Sequence, residues 1–279
     1  MTPGRRWRDV RDDVARRLRD AGRLSPEVDA RWLVEEAAPD LDGEPTARSL
    51  RYLDSMVVRR MAGEPLQYVL GSWGFRTLDL LVDRRVLIPR PETEVVAGVA
   101  IDELRRSGAT VAVDLGTGSG AIALSLAVEV VGAEVWAVDR SSEALDVARA
   151  NLAGIGRPAQ RVRLTQGDWY DALPPGLAGT VDLVVSNPPY VSLADDLPPE
   201  VADWEPQEAL LAGRDGLDEL RRVVAGAPAW LRRPGALVVE CAPDQATAVV
   251  ALAREAGAAG VDVVDDLAGR PRCVRARWR

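Results

Sequence analysis

The segment Val111-Ala112-Val113-Asp114-Leu115-Gly116-Thr117-Gly118-Ser119-Gly120-Ala121 decides the fold. Its first five residues are a short apolar run ending near an acid, the pattern of a strand covered on both faces. Glycines at alternate positions follow, and the apolar stretch from Ala121 to Val131 has the length of a helix. Glycine lets a backbone turn sharply and approach a ligand, and a helix N-terminus offers it free amides. With Ala121 in sixth place the loop also meets the loose dinucleotide pattern G-x-G-x-x-[GA]. The loop therefore points to a nucleoside cofactor without choosing between NAD and S-adenosylmethionine. A tight turn with no ligand is the plain alternative.

Working outward, apolar runs and helical periodicity alternate. Strands are expected at 134–138, 162–164, 181–185, 236–240, 261–264 and 273–277, and helices at 142–151, 217–231 and 245–256, with Ser141 or Ser142 as a cap. Such alternation predicts an α/β fold with a parallel, doubly wound, Rossmann-like sheet over residues 93–279. Residues 1–72 read as a separate small helical domain. Val10, Val14 and Leu18 recur at helical spacing, Ser25-Pro26 opens a second helix with Ala30, Leu33 and Val34 inward, and Thr46 to Met61 carries Leu50, Leu53, Val57 and Met61 on one face. Between the two, residues 73–92 read as an extended hairpin linker, with Phe75, Leu78, Leu80 and Val82 alternating and a turn at Asp83-Arg84.

Composition removes whole mechanisms. The 279 residues contain no His and no Lys. That excludes a Ser-His-Asp triad, a His metal site, a Schiff-base lysine and a P-loop lysine. Cys241 and Cys273 are the only cysteines, which gives neither a disulfide framework nor a zinc knuckle and fits a reducing cytoplasm. No apolar run approaches a membrane span, and Met1 to Asp20 lacks the apolar core of a signal peptide. A net charge of -8 is poorly suited to gripping many phosphates nonspecifically. Arg5, Arg6, Arg8 and Arg11 cluster, but Asp9, Asp12 and Asp13 beside them suggest a solvated helix face.

Three further motifs fall at the carboxyl ends of successive predicted strands. Asp139 lies about twenty residues beyond the glycine loop, where an acid can bind ribose hydroxyls; a helix cap is the alternative. Gly167-Asp168-Trp169 follows the third strand: Trp169 could wall an adenine with Asp168 near its amino group, or simply pack on the core. Ser186-Asn187-Pro188-Pro189-Tyr190 follows the fourth. Two prolines fix a rigid extended turn. The Asn187 side-chain oxygen and the Pro188 carbonyl then offer two acceptors to the two hydrogens of a planar NH2 group. Those bonds orient the nitrogen and reduce its resonance, so its lone pair can face an electrophilic methyl while Tyr190 stacks on the plane.

In this order, Gly116-Thr117-Gly118-Ser119-Gly120, Asp139, Asp168-Trp169 and Asn187-Pro188-Pro189-Tyr190 resemble the PrmC/HemK protein-(glutamine-N5) methyltransferases, which modify peptide chain release factors. Gly63-Glu64-Pro65-Leu66-Gln67-Tyr68, Leu87-Ile88-Pro89-Arg90-Pro91-Glu92-Thr93-Glu94 and Asp266-Leu267-Ala268-Gly269-Arg270 extend the resemblance over nearly the whole chain. The acceptor tetrapeptide alone is shared with adenine and guanine amino methyltransferases; the segment Pro89 to Glu94 is much more specific. Cys241-Ala242-Pro243 departs from the family, where a glycine soon follows the acid at Glu240.

The resemblance implies that Gly116, Thr117, Gly118, Ser119, Gly120, Asp139, Asp168 and Trp169, with Asn187, bind S-adenosyl-L-methionine as co-substrate, without a metal. It implies that Asn187, Pro188, Pro189 and Tyr190 hold the glutamine of the release-factor GGQ loop. Arg90 and Glu92 either shape the substrate mouth or form a structural ion pair. The expected partners are class-I peptide chain release factors, with no membrane and no direct nucleic-acid substrate. A ribosomal-protein glutamine methyltransferase shares the same chemistry, and a nucleic-acid amino methyltransferase is the more distant alternative.

Overall fold

A computed structural model describes residues 6–38, 40–108 and 110–279; Arg5 of the arginine cluster lies outside them. The described chain forms two compact units. One comprises the residues up to Ser72 together with Leu197–Trp204, the other Trp73–Asp196 and Glu205–Arg279. Among the described residues, no helix is long and apolar enough to cross a membrane.

The first unit holds α1 (Trp7–Asp20), α2 (Pro26–Ala37), α3 (Ala47–Met61) and α4 (Leu66–Leu70). Val10, Val14 and Leu18 of α1 pack on Ala30, Leu33 and Val34 of α2 and on Leu53 and Val57 of α3, while Leu50 and Met61 are only partly covered. Thr46 caps α3 by accepting from the Ser49 amide at 3.1 Å. Ser25, expected to cap α2, makes no side-chain cap bond; the start rests on Pro26 at the first position, whose fixed φ suits a helix. Helix α4 was not expected; five residues are too few for periodicity to show, and Gly71 at φ +80° stops it. Arg16 pairs with Asp13 at 3.2 Å and Arg11 approaches Asp12 at 4.0 Å on the solvated face of α1. The buried Arg60 ties Leu197–Trp204 into this unit: its Nε donates to Asp29 at 2.7 Å and its terminal nitrogen to Glu200 at 2.8 Å. Two carboxylates compensate a guanidinium that could not be left alone away from water.

The second unit begins with a hairpin of β1 (Ser72–Phe75) and β2 (Leu78–Leu81). Its turn is at Arg76-Thr77, not at Asp83-Arg84 as the sequence suggested, and Arg76 takes φ +53°. The Arg76 side chain repays that conformation by bonding Glu129 at 2.6 Å and the Glu94 carbonyl at 3.1 Å. Asp83 makes its own separate turn, accepting from the Arg85 amide at 3.0 Å.

There follow α5 (Pro91–Ser107), β3 (Val111–Leu115), α6 (Ala121–Glu129), β4 (Glu134–Asp139), α7 (Ser142–Gly154), β5 (Val162–Gln166) and β6 (Val181–Ser186). After the short α8 (Pro199–Ala202), which belongs to the first unit, come α9 (Asp218–Trp230), β7 (Leu231–Glu240), α10 (Ala246–Glu255), β8 (Gly260–Asp265) and β9 (Pro271–Trp278). The strand order is β5-β4-β3-β6-β7-β9-β8. The first five strands are parallel, as expected of the doubly wound sheet, while β9 at the far side runs antiparallel to both β7 and β8. The reason is the connection: only Asp266 to Arg270 separate β8 from β9, and a parallel crossover needs a dozen or more residues.

Successive strand residues bury on opposite faces. Ala112, Leu183 and Val185 join the core beneath α5 and α6; Val113, Leu115 and Val184 join the core beneath α9 and α10. Leu115 pairs with Val138 on one side and Ser186 on the other, and Asp139 pairs with Gln166. That register brings the carboxyl ends of β3, β4, β5 and β6 to one sheet edge, where the chain order reverses direction and crevices form.

Candidate active site

The edge opens a cleft of about 960 Å³, continuous with solvent, lined among others by Gly116, Gly118, Asp139, Trp169, Asn187 and Pro189. The glycine loop is built from below. Gly116 and Gly118 take φ +74° and +55°, a left-handed conformation that side chains resist. A Cβ on Gly116 would touch the Trp169 ring at 3.4 Å, whereas Gly118 faces open space. The amides of Gly116 and Thr117 both donate to the Val138 carbonyl at 2.9 Å. Asp114 lies fully buried beneath the loop, accepting from the Thr117 hydroxyl at 2.6 Å and the Ala123 amide at 3.1 Å. Burial pushes its carboxyl up to about 7 against those two bonds.

Asp139 lines the cleft, and the helix cap offered as its alternative role falls to Ser141 instead. The Asp139 oxygens accept from the Gly118 amide at 2.8 Å and the Ser141 amide at 2.9 Å, so it shapes the loop and the start of α7. A carboxylate has about four acceptor positions, so two remain for a ligand's hydroxyls. Burial raises its carboxyl above the ordinary value, opposed by the same two amides.

Trp169 stands at φ +47° with its indole against Gly116 and its Nε1 donating to Glu219 at 2.6 Å. Asp168 also lines the cleft, but it is exposed at the rim and ion-paired with Arg222. The motif thus splits: the tryptophan forms a wall and the acid is already engaged.

The Asn187-Pro188-Pro189-Tyr190 turn leaves β6 directly over this loop. Ser186 anchors it by donating to the Leu115 carbonyl at 2.7 Å. The Asn187 amide nitrogen donates to the Thr93 hydroxyl at 3.2 Å, which leaves its side-chain oxygen as the end free to accept. Tyr190 is held at both ends: its hydroxyl donates to Glu240 at 3.1 Å and its carbonyl accepts from Gln245 at 2.8 Å. Burial raises the Tyr190 hydroxyl far above its ordinary range, so it stays protonated as a donor. Arg90 pairs with the buried Glu205, which also accepts from the Ile88 amide, and Glu92 pairs with Arg270 at 3.3 Å. Both residues therefore sit in ion pairs at the cleft's flank.

Four contributors were not foreseen: Thr93, Glu205, Glu219 and Glu240. Glu240 ends a strand just as Asp139 does, and that shared position was the available signal. Thr93 stood inside the segment already singled out. Glu205 and Glu219 carry no local mark. Among the described residues no cluster of His, Cys, Asp and Glu could hold a metal ion.

Comparison with known proteins places this geometry. Residues 97–198 match the Methyltransferase small domain family. A release factor glutamine methyltransferase of Streptomyces coelicolor is 43% identical over 279 aligned residues, covering 95% of either chain. One from Xylella fastidiosa is 43% identical over 81% of either chain. A 16S ribosomal RNA methyltransferase of T. thermophilus, solved with AdoMet and guanosine, superposes with a TM-score of 0.52 at 19% identity, over 75% of this chain and 50% of its own, and shares the fold. Full-length relatedness joins the glycine loop and the acceptor turn to one known enzyme group: the chain belongs to the release factor glutamine methyltransferase family.

Proposed function

We propose that this protein transfers a methyl group from S-adenosyl-L-methionine to the side-chain amide nitrogen of a glutamine in a class-I peptide chain release factor, the glutamine of its GGQ loop. The observation that carries the reading is the orientation of Asn187. With its nitrogen bonded to Thr93, its oxygen is the acceptor presented beside the cleft. An acceptor there suits an incoming NH2 group and repels a carbonyl or a hydroxyl lone pair.

The residues fit the co-substrate. The bare Gly118 leaves room for a ligand at the loop, Asp139 has acceptor positions for ribose hydroxyls, and the Trp169 ring offers a flat wall to an adenine, with Asp168 at the rim. The co-substrate supplies a methyl group already activated on a sulfonium. Thr117 and Ser119 also line the cleft; their side chains are buried and Thr117 bonds Asp114, so they meet the ligand mainly through the backbone.

The protein's part is positioning. Asn187 and Pro188 accept the two amide hydrogens and set the plane of the substrate NH2 group. Pro189 keeps the turn rigid, and Tyr190 packs against the amide plane. Holding reacting atoms in near-attack geometry is worth several kcal/mol of barrier, about 7–11 at its fullest. The amide nitrogen loses its proton readily once alkylated, so no strong base is required, in keeping with a chain that has no His.

The helical unit is assigned to recognition of the protein substrate, and the site of action is the cytoplasm, where release factors work. The test is incubation with methyl-labelled co-substrate and, separately, release factor, ribosomes and DNA. Label in the release factor supports the reading. Label only in a ribosomal protein or only in nucleic acid overturns it.

A further inference from the structure

The Asn187 side chain can face either way: a flip about its last bond exchanges an acceptor for a donor at nearly the same place. A flipped Asn187 would offer NH2 to NH2 and defeat the proposed reaction. Something must hold it. Thr93, in the first turn of α5, accepts from the Asn187 nitrogen at 3.2 Å. The same hydroxyl lies close enough to Glu240, at the end of β7, to help hold its carboxyl down, and the Tyr190 hydroxyl donates to Glu240 at 3.1 Å. Thr93 is buried and Glu240 is fully so.

We propose that Thr93 and Glu240 are positioning residues that fix which end of the Asn187 amide faces the substrate; this rests on the functional reading above. An ionised carboxylate only accepts. Facing it, Thr93 must point its single proton at Glu240, which leaves its lone pairs for the Asn187 nitrogen. Tyr190 must point its proton the same way. Glu240 thus sets the direction of both hydroxyls, and through them the orientation of two residues of the acceptor turn. A protonated Glu240 carries a proton of its own, so the direction is no longer imposed.

The environment makes that proton available at ordinary pH. Burial pushes Glu240 up to about 7, with Thr93, Tyr190 and Arg272 opposing and Glu92 reinforcing. Oε2 has no hydrogen-bond partner among the described residues, so the carboxylate is under-compensated. Burial raises the neighbouring Cys241 to about 12 and raises Cys273 and the Tyr190 hydroxyl far above their ordinary ranges, so these three keep their protons over that range.

The test uses Thr93→Val, which keeps the shape and removes the hydroxyl, Thr93→Ser, which keeps the hydroxyl, and Glu240→Gln. Single-turnover methylation of release factor is measured from acid to mildly alkaline pH, with co-substrate affinity and melting temperature on the same preparations. Wild type and Thr93→Ser should gain rate as pH rises through about 7. Thr93→Val and Glu240→Gln should be slower by about 10–100-fold, the scale of lost outer-shell support, and should lack that rise. Asp114 also titrates near 7, so the rise is read as the difference between wild type and Glu240→Gln. Co-substrate affinity should be unchanged. A second readout needs no turnover: the Asn187 side-chain NH2 signal in nitrogen-15 NMR, identified by its loss in Asn187→Asp. Its exchange should be slow in wild type, faster in Thr93→Val, and should respond to pH through Glu240. If wild type methylates no glutamine while this signal behaves as expected, the functional reading fails and the positioning pair stands. Wild-type rate and unchanged exchange in Thr93→Val overturn the proposal. So does loss of rate only in step with melting temperature and co-substrate affinity, which marks a merely structural role.

Discussion

Gly216 tests how firmly the acceptor turn is clamped. It takes φ +69°, and a Cβ there would lie 2.3 Å from the Tyr190 carbonyl oxygen and 2.6 Å from the Gln245 amide nitrogen. Those two atoms are the partners of the 2.8 Å bond that holds Tyr190. In Gly216→Ala the left-handed backbone costs roughly 1–2 kcal/mol. The displaced hydrogen bond costs about 1 kcal/mol more. Residual overpacking adds to both, so the sum is about 2–4 kcal/mol. For a chain of this size that lowers the melting temperature by roughly 5–15 °C. The backbone of Tyr190 must move, and a shift of about 1 Å can cost about 100-fold in rate. Gly257→Ala is the control: φ is +85°, but the nearest atom is 3.9 Å away, so it carries the strain without the clash. Calorimetric melting, co-substrate titration and single-turnover methylation are measured on both variants. Turnover should fall much further in Gly216→Ala than in Gly257→Ala, with co-substrate affinity kept in both. Equal turnover in the two variants would refute the clamp.

Other consequences follow from the same contacts. Arg60→Ala leaves Asp29 buried without its cation and should destabilise the helical unit by about 3–5 kcal/mol, measured by denaturant melting; Arg60→Met should cost less, because it fills the space without the charge, and equal cost would contradict this. Asp114 binds a proton more tightly folded than unfolded, so between about pH 4 and 7 it should make stability fall as pH rises; Asp114→Asn should remove that falling component from the melting profile, and an unchanged profile would show that Asp114 is not raised. Asp139→Ala should weaken S-adenosylmethionine binding by roughly 1–3 kcal/mol in calorimetric titration, and an unaltered affinity would limit Asp139 to shaping the loop.

What the sequence made legible was local. The β3 strand, its glycine loop and α6 are consecutive, and each step has a conformational reason visible in residue type. Asp139, Trp169 and Asn187 could be placed because each follows a predicted strand, and parallel strands put such ends at one edge. The hidden features depend on partners far along the chain. Thr93 and Glu240 approach the acceptor turn from α5 and β7; a singled-out segment and a strand end marked each of them, but nothing local marked their meeting. Leu197–Trp204 joins the helical unit through an Arg60–Glu200 pair that no periodicity announces. The hairpin turn was misplaced because Arg76 adopts a conformation usually signalled by glycine or asparagine, stabilised by the distant Glu129. The antiparallel β9 was readable in principle from the short connection after β8, but strand propensity alone does not reveal direction.

The central claim is that Asn187 presents an acceptor to the NH2 group of a release-factor glutamine. The direct measurement is mass spectrometry of the release-factor GGQ peptide after reaction with wild type, Asn187→Ala and Asn187→Asp, alongside co-substrate affinity and melting temperature. Wild type should place one methyl group on the glutamine side-chain nitrogen. Asn187→Ala should lose about 10²–10³ in rate with affinity and fold intact. Asn187→Asp should also lose rate even where affinity rises, because its charge stabilises the sulfonium that must be discharged. A methyl group on any other atom, or near-wild-type turnover in a folded Asn187→Ala protein, would contradict the account.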